Sequence, residues 1–226
     1  MASQPAQDLP PFAAIVLAGG RAQRLGGADK PSIVIGGRSL VSAVVTATIS
    51  AGAARVVIVG PVRRELLAGP VPGIEITTEQ PPGGGPVAGL RAGLGLVTEP
   101  WLLLLAADLP FLTGRVLRTL LAAAGQAPGA VTVDAAGHQQ WLTSCWRVAD
   151  LRAALAEYRE SSLRGVLGAL PHAEVTIAAE PGEPPFWLDC DTPGDLAAAD
   201  QWARRGQRPG QSEQNDRPAQ NDRGVR

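Results

Sequence analysis

The apolar run from Phe12 to Ala18 breaks into Gly19-Gly20-Arg21 and then, over twelve residues, into Arg24, a second glycine pair and Lys30. A continuously apolar segment is what a strand covered on both faces requires, and parallel sheets supply such strands. Glycines and cations at its end are the composition of an anion cradle, because glycine lets a ligand approach main-chain N–H groups. The stretch from Ile15 to Lys30 therefore reads as a buried strand that ends at a phosphate-binding loop, and Arg21, Arg24 and Lys30 supply its positive charge.

Lys30 carries a further signal. Of the 20 basic residues in the chain, 19 are arginine and Lys30 is the single lysine. Arginine is a planar fork and lysine a compact charge on a flexible stem, so the exception marks a place where the fork does not fit. Two commoner phosphate loops are absent at this strand end. A dinucleotide fold needs G-x-G-x-x-G and an ATP-binding P-loop needs G-x-x-x-x-G-K-[ST].

Strand and helix patterns alternate along the rest of the chain. Strands are expected at 12–18, 56–59, 74–77 and 101–106, and helices at 39–51, 87–97 and 113–124, the last opened by Thr113 and stopped by Gly125. Residues 130–133 and 141–146, around the turn at Gly137, read as a hairpin or as a strand pair joined across an insertion. Helices at 148–158 and 163–170, a strand at 175–178 and a helix from Pro193 to Trp202, with Thr192 at its N-cap, complete the pattern. This βαβα order predicts an α/β fold, a three-layer αβα sandwich around a mainly parallel, mixed sheet.

Residues 1–11 read as a flexible leader without the basic and apolar regions of a signal peptide, and 12–203 as one folded unit. From Arg204 the chain turns to Arg, Gln, Gly, Pro, Asn and Asp, and Gln-Asn-Asp-Arg occurs twice. Residues 204–226 are therefore expected to form a disordered tail. A net charge of −1 gives no nucleic-acid footprint, and the longest apolar run, 101–107, is too short for a membrane span. Cys145 and Cys190 read as two small buried side chains of a reduced, cytoplasmic protein. His138 and His172 lack metal spacing or a nucleophile partner and read as surface residues.

In open α/β sheets the ligand lies beyond the carboxyl ends of the strands. Those ends carry Ala18-Gly19-Gly20, the run from Glu79 to Pro86, Asp108, and Asp189-Cys190-Asp191. A carboxylate beside an anion clamp repels the ligand unless a cation lies between them. Mg²⁺ is held in this way, by one or two carboxylates plus substrate phosphates. Asp108 is read as a metal ligand. Asp189 and Asp191 alternate after Phe186-Trp-Leu188 and point to opposite faces if that segment is extended, so at most one joins Asp108. Asp191, at the corner before Thr192-Pro193, is the expected partner.

Taken together, Leu17-Ala-Gly-Gly-Arg-Ala-Gln-Arg-Leu-Gly-Gly-Ala-Asp-Lys30, Gly85-Pro-Val-Ala-Gly89, Ala107-Asp-Leu-Pro110 and Asp191-Thr-Pro-Gly-Asp-Leu196 resemble the successive motifs of the molybdenum cofactor guanylyltransferases. The resemblance implies a nucleotidyltransferase domain over 12–203 and transfer of GMP from GTP to molybdopterin with release of pyrophosphate. It implies Mg²⁺ as cofactor, and transient contact with cofactor-biosynthesis proteins or apo-molybdoenzymes, with no nucleic acid or membrane partner. On this match Leu17, Ala18, Gly19 and Gly20 hold the nucleotide, with Arg21 in the same loop. Lys30 and Arg24 meet its phosphates, and Asp108 binds nucleotide and metal. The acidic nucleoside contact falls on Glu79 or Gln80. The chain departs from the family at Val59-Gly60-Pro61, where a polar residue is usual, and at Trp141-Leu142, where Pro-Leu is common. The alternatives are a cytidylyltransferase or another small-molecule nucleotidyltransferase of this fold, and a non-catalytic nucleotide-binding relative.

Overall fold

The computed structural model describes residues 9–19, 29–62, 64–67, 73–125, 127–179 and 182–206. Seven strands form one sheet: β1 (Phe12–Leu17), β4 (Arg55–Val59), β5 (Ile74–Thr77), β6 (Trp101–Ala106), β7 (Gly129–Val133), β8 (Gln139–Arg147) and β9 (Ala173–Thr176). Their order across the sheet is β5-β4-β1-β6-β8-β7-β9. Only β8 runs against its neighbours β6 and β7, so the sheet is mixed and mainly parallel. The two short strands β2 (Val34–Ile35) and β3 (Arg38–Ser39) form a separate hairpin that the sequence pattern does not announce.

Two-sided burial explains the apolar strands. Phe12, Ala14 and Val16 face one layer of helices, α1 (Leu40–Ala51) and α3 (Gly114–Ala124). Ala13 and Ile15 face the other, α2 (Pro86–Leu94), α4 (Val148–Glu157) and α5 (Leu163–Leu167). Along β6, Leu102 to Leu105 alternate between the two layers and none is exposed to solvent. Each such leucine is worth about 1.5 to 3 kcal/mol of transfer free energy relative to an exposed one. Both helices of the first layer start at a side-chain cap: the Ser39 hydroxyl accepts from Ser42 N–H at the head of α1, and Thr113 does the same for Val116 at α3.

One of the two alternatives for residues 130–146 holds, and two other segments differ from the sequence pattern. The 130–146 region is a hairpin of β7 and β8, joined by a turn that the Asp134 carboxylate ties to the N–H groups of Ala136 and His138. The segment 186–191 is not a strand; a turn at Phe186-Trp187 precedes an irregular stretch. The final helix, α6 (Pro193–Gly206), runs past Trp202 into the expected tail. There Arg204 pairs with Asp200 one turn back and the Arg205 guanidinium lies 5.2 Å from the Trp202 ring. Residues 1–8 of the leader and 207–226 of the tail lie outside the described residues, whereas Leu9 packs against the core.

Register places the site. Leu17 pairs with Val59 on one side and Ala106 on the other, and Val59 pairs with Thr77. Four strands therefore end level, and Ala18-Gly19, Gly60-Pro61, Thr78-Glu79 and Ala107-Asp108 leave the sheet side by side. Gly60 permits this crowding. Its φ is 147°, and a Cβ there would lie 2.7 Å from the Ala18 carbonyl carbon and 2.9 Å from the Gly19 nitrogen. Backbone cannot yield as a flexible side chain can, so Gly60→Ala is expected to destabilise the fold by about 1 to 3 kcal/mol. Thermal and urea denaturation read this loss directly; a wild-type midpoint would contradict the packing argument.

Candidate active site

The level strand ends border a cleft of about 1010 Å³ lined by Leu17, Ala18, Gly19, Lys30, Glu79 and Asp108 among others. One wall belongs to α2. Its N-terminus is opened by Gly85 at φ 82° and Pro86, without a side-chain cap, and both residues line the cleft. The helix thus presents uncapped first-turn amides and the positive end of its dipole to a ligand. Gly89, one turn in, lets α2 lie close to the sheet: a Cβ would stand 3.2 Å from Leu17 and 3.4 Å from the Glu79 carboxylate.

At the opposite side the charged groups converge. Lys30 begins a 3₁₀ turn over residues 30–32 that feeds the β2–β3 hairpin. Its ammonium donates to Asp108 Oδ2 at 2.5 Å and to Asp191 Oδ1, so two carboxylates that lie 83 residues apart in sequence share one cation. Burial acts to lower the Lys30 pKa, and the hydrogen bonds and charges of Asp108 and Asp191 outweigh it, so the ammonium is held above its ordinary value. The other oxygen of Asp108, Oδ1, is buried with no hydrogen-bond partner among the described residues.

A small apolar cluster brings Asp191 to this place. Cys190 and Ala199 pack with Ile35 and Leu40, flanked by Ile33, Phe111, Leu188, Leu196 and Ala203. The cluster fastens the segment before α6 and α6 itself onto the hairpin that follows Lys30. Asp189 lies nearby. Burial first, and then the charges of Asp191 and Asp108, push its carboxyl pKa up, which marks a region of concentrated negative charge. Among the described residues no group of three or more His, Cys, Asp or Glu side chains forms a metal cage. Two carboxylates, one with an orphaned buried oxygen, instead suit a hard cation that completes its shell with substrate oxygens and water.

The structure thus brings Leu17, Ala18, Gly19, Lys30, Glu79, Asp108 and Asp191 to one cleft. Glu79 lines it, with Oε1 accepting from Gly83 N–H at 2.8 Å; Gln80 is not among the lining residues. Gly20, Arg21 and Arg24 lie outside the described residues. The sequence places Asp189 and Asp191 on opposite faces if the segment after Phe186 is extended. They sit instead on an irregular segment held by packing, where Leu188 N–H donates to the Pro185 carbonyl and the half-buried Leu188 side chain packs against the cluster at the hairpin. The sequence reading passed over Asp195, whose carboxylate caps Thr192; the spacing T-x-x-D was the available signal.

Other singled-out residues stand aside from the cleft. The thiols of Cys145 and Cys190 are pushed up to about 12 by burial, and with the charge of Asp108 adding to the effect at Cys190. His172 is half-buried rather than a surface residue, with Trp141 and Trp146 ring centroids at 5.5 and 5.9 Å. No helix among the described residues is long and apolar enough to cross a membrane.

A family model of the MobA-like NTP transferase domain matches residues 14–175. The chain is 34% identical over 214 residues to the molybdenum cofactor guanylyltransferase of Rhodopseudomonas palustris strain HaA2, covering 88% of this chain and 95% of the relative. Among solved structures, molybdopterin-guanine dinucleotide biosynthesis protein A from Archaeoglobus fulgidus superposes with a TM-score of 0.63 at 18% identity, covering 85% of this chain and 99% of that one. The 2-C-methyl-D-erythritol 4-phosphate cytidylyltransferase of Thermus thermophilus gives 0.64 at 20% identity, covering 86% and 99%. The two structures share the fold. The family match and the 34% relative go further: this chain belongs to the MobA-like NTP transferase family.

Proposed function

We propose that the protein is a molybdenum cofactor guanylyltransferase, which transfers GMP from GTP to molybdopterin and releases pyrophosphate. The observation that carries the reading is the cleft at the level ends of β1, β4, β5 and β6. It brings an uncapped helix N-terminus and Gly19 into one cleft with a lysine gripped by two carboxylates. Relatives bearing that name match nearly the whole chain.

In this reading the terminal phosphate oxygen of the pterin attacks the α-phosphorus of GTP. The bond to the bridging oxygen breaks, and pyrophosphate leaves with that electron pair. A phosphate monoester has its second pKa near about 6, so the attacking oxygen is already largely ionised and no general base is needed. What remains for the protein is alignment and the offsetting of anion against anion. The main chain at Leu17 to Gly20 and the amides at the head of α2 receive the nucleotide. Glu79 faces the nucleoside, and Arg21, Arg24 and Lys30 meet the phosphates.

Asp108 and Asp191 would hold a divalent cation, which we take to be Mg²⁺. The fit rests on the orphaned Asp108 Oδ1 and on the ammonium that the two carboxylates already share. When bound, Mg²⁺ supplies charge neutralisation at the phosphate oxygens. Lys30 keeps the carboxylate pair compensated in the ligand-free protein, and its flexible stem lets it turn to the phosphates once GTP is present. An arginine fork gripping both carboxylates in bidentate fashion would be slower to let go, which accounts for the lone lysine of the chain. We place the reaction in the cytoplasm, followed by hand-over of the product to apo-molybdoenzymes or to other proteins of cofactor biosynthesis.

Pyrophosphate release measured with molybdopterin and GTP, CTP, ATP or UTP tests the reading. Turnover with GTP alone is expected. Turnover with CTP alone would make the protein a cytidylyltransferase of the same fold, and none with any of the four would make it a non-catalytic binder. Asp108→Asn is expected to lower kcat by roughly a hundredfold or more, the scale for removing an electrostatic group from a transfer site. Lys30→Ala is expected to raise KM for GTP about tenfold, the equivalent of a hydrogen bond to a charged group. Wild-type kinetics in both variants would overturn the site.

A further inference from the structure

The carboxylate of Asp195 does more than cap a helix. One oxygen, Oδ2, accepts from Thr192 N–H at 2.7 Å and from the Thr192 hydroxyl at 2.8 Å, while Asp195 N–H donates back to Thr192 Oγ1 at 3.2 Å. That reciprocal pair is the capping box of α6, with Thr192 at N-cap and Asp195 at N3. A capping box needs nothing beyond the N-cap residue. Here Oδ2 also accepts from Asp191 N–H at 3.2 Å, one residue further out. The main chain of Asp191 is thereby tied to the helix end, although its side chain is half-exposed and lies on an irregular segment.

We propose that Asp195 is a positioning residue that holds the Asp191 carboxylate toward Asp108. The inference rests on the reading of Asp191 as a metal-holding group. The anchoring is continuous: Ala199, one turn beyond Asp195, and Cys190, beside Asp191, are both buried in the cluster on the Lys30 hairpin. Between those two fixed points, Asp195 Oδ2 accepts from the N–H groups of residues 191 and 192 and from the Thr192 hydroxyl, while the Thr192 carbonyl accepts from Leu196 N–H as the helix begins. An exposed carboxylate on an untethered loop samples many orientations, and ordering it at the moment of binding costs conformational entropy. Groups that orient metal ligands are typically worth tenfold to a hundredfold in affinity.

Binding of Mn²⁺ alone to the full-length protein, followed by electron paramagnetic resonance of the free ion, tests the proposal. Asp195→Ala is expected to weaken binding about tenfold while leaving the affinity for metal-free GTP, measured in chelator, unchanged. Asp195→Asn keeps an oxygen acceptor in the same place without the charge, and it is expected to bind Mn²⁺ within about threefold of wild type. The double variant Asp191→Ala/Asp195→Ala is expected to match Asp191→Ala, because a residue that acts through another adds nothing once that other is gone. Wild-type binding by Asp195→Ala, equal losses for the Asn and Ala variants, or additive losses in the double variant would overturn the proposal. A helix cap without a positioning role would lower the melting temperature of Asp195→Ala and leave Mn²⁺ binding intact. Wild-type binding by Asp191→Ala would instead refute the metal reading of Asp191 itself.

Discussion

One ammonium between two carboxylates organises this site. Lys30, Asp108 and Asp191 come from the turn before the first hairpin, the end of a central strand and the segment before the last helix. Two unpaired carboxylates in such a place would repel each other, and the arriving phosphates as well. With Lys30 between them the repulsion is offset and the three elements are pulled together. The grip consists of hydrogen bonds from a flexible stem, so a ligand with more negative charge to offer can compete for the ammonium. A nucleotide triphosphate is such a ligand.

The rest of the fold serves that convergence. The register of β1 against β4 and β6 ends the strands on one line, so the residues that follow them border one cleft. Gly60 lets the residues after β1 and β4 lie side by side without collision. The cluster around Ile35, Leu40 and Cys190 fastens α6 and the segment before it to the hairpin that follows Lys30. The sheet alone supplies Asp108 and Ala18-Gly19, and it does not reach Asp191.

Much of this was legible in the residues. The run from Phe12 to Ala18 announced a strand buried on both faces, and the abrupt glycines marked the strand end that borders the cleft, because both signals are local. Asp108 was legible for the same reason, as a charge stranded at the end of seven apolar residues. The need for glycine at position 60 was not, since it arises from the backbone of Ala18 across the sheet. The three apolar residues before Asp189 and Asp191 left open whether that segment is extended. Its course is set by packing against the hairpin at Ile35, which no local pattern encodes. Thr192 was legible as a cap; that the capping carboxylate reaches back to Asp191 follows only from three-dimensional geometry.

The central claim is that the carboxylate pair exchanges Lys30 for a divalent cation when the nucleotide enters. A crystal structure of the protein with GTP and Mn²⁺, phased so that manganese is seen by its anomalous signal, tests this most directly. The account predicts manganese on both Asp108 and Asp191, with the Lys30 ammonium moved from the carboxylates to a phosphate oxygen. Manganese elsewhere, with Lys30 still bonded to both carboxylates, would contradict it.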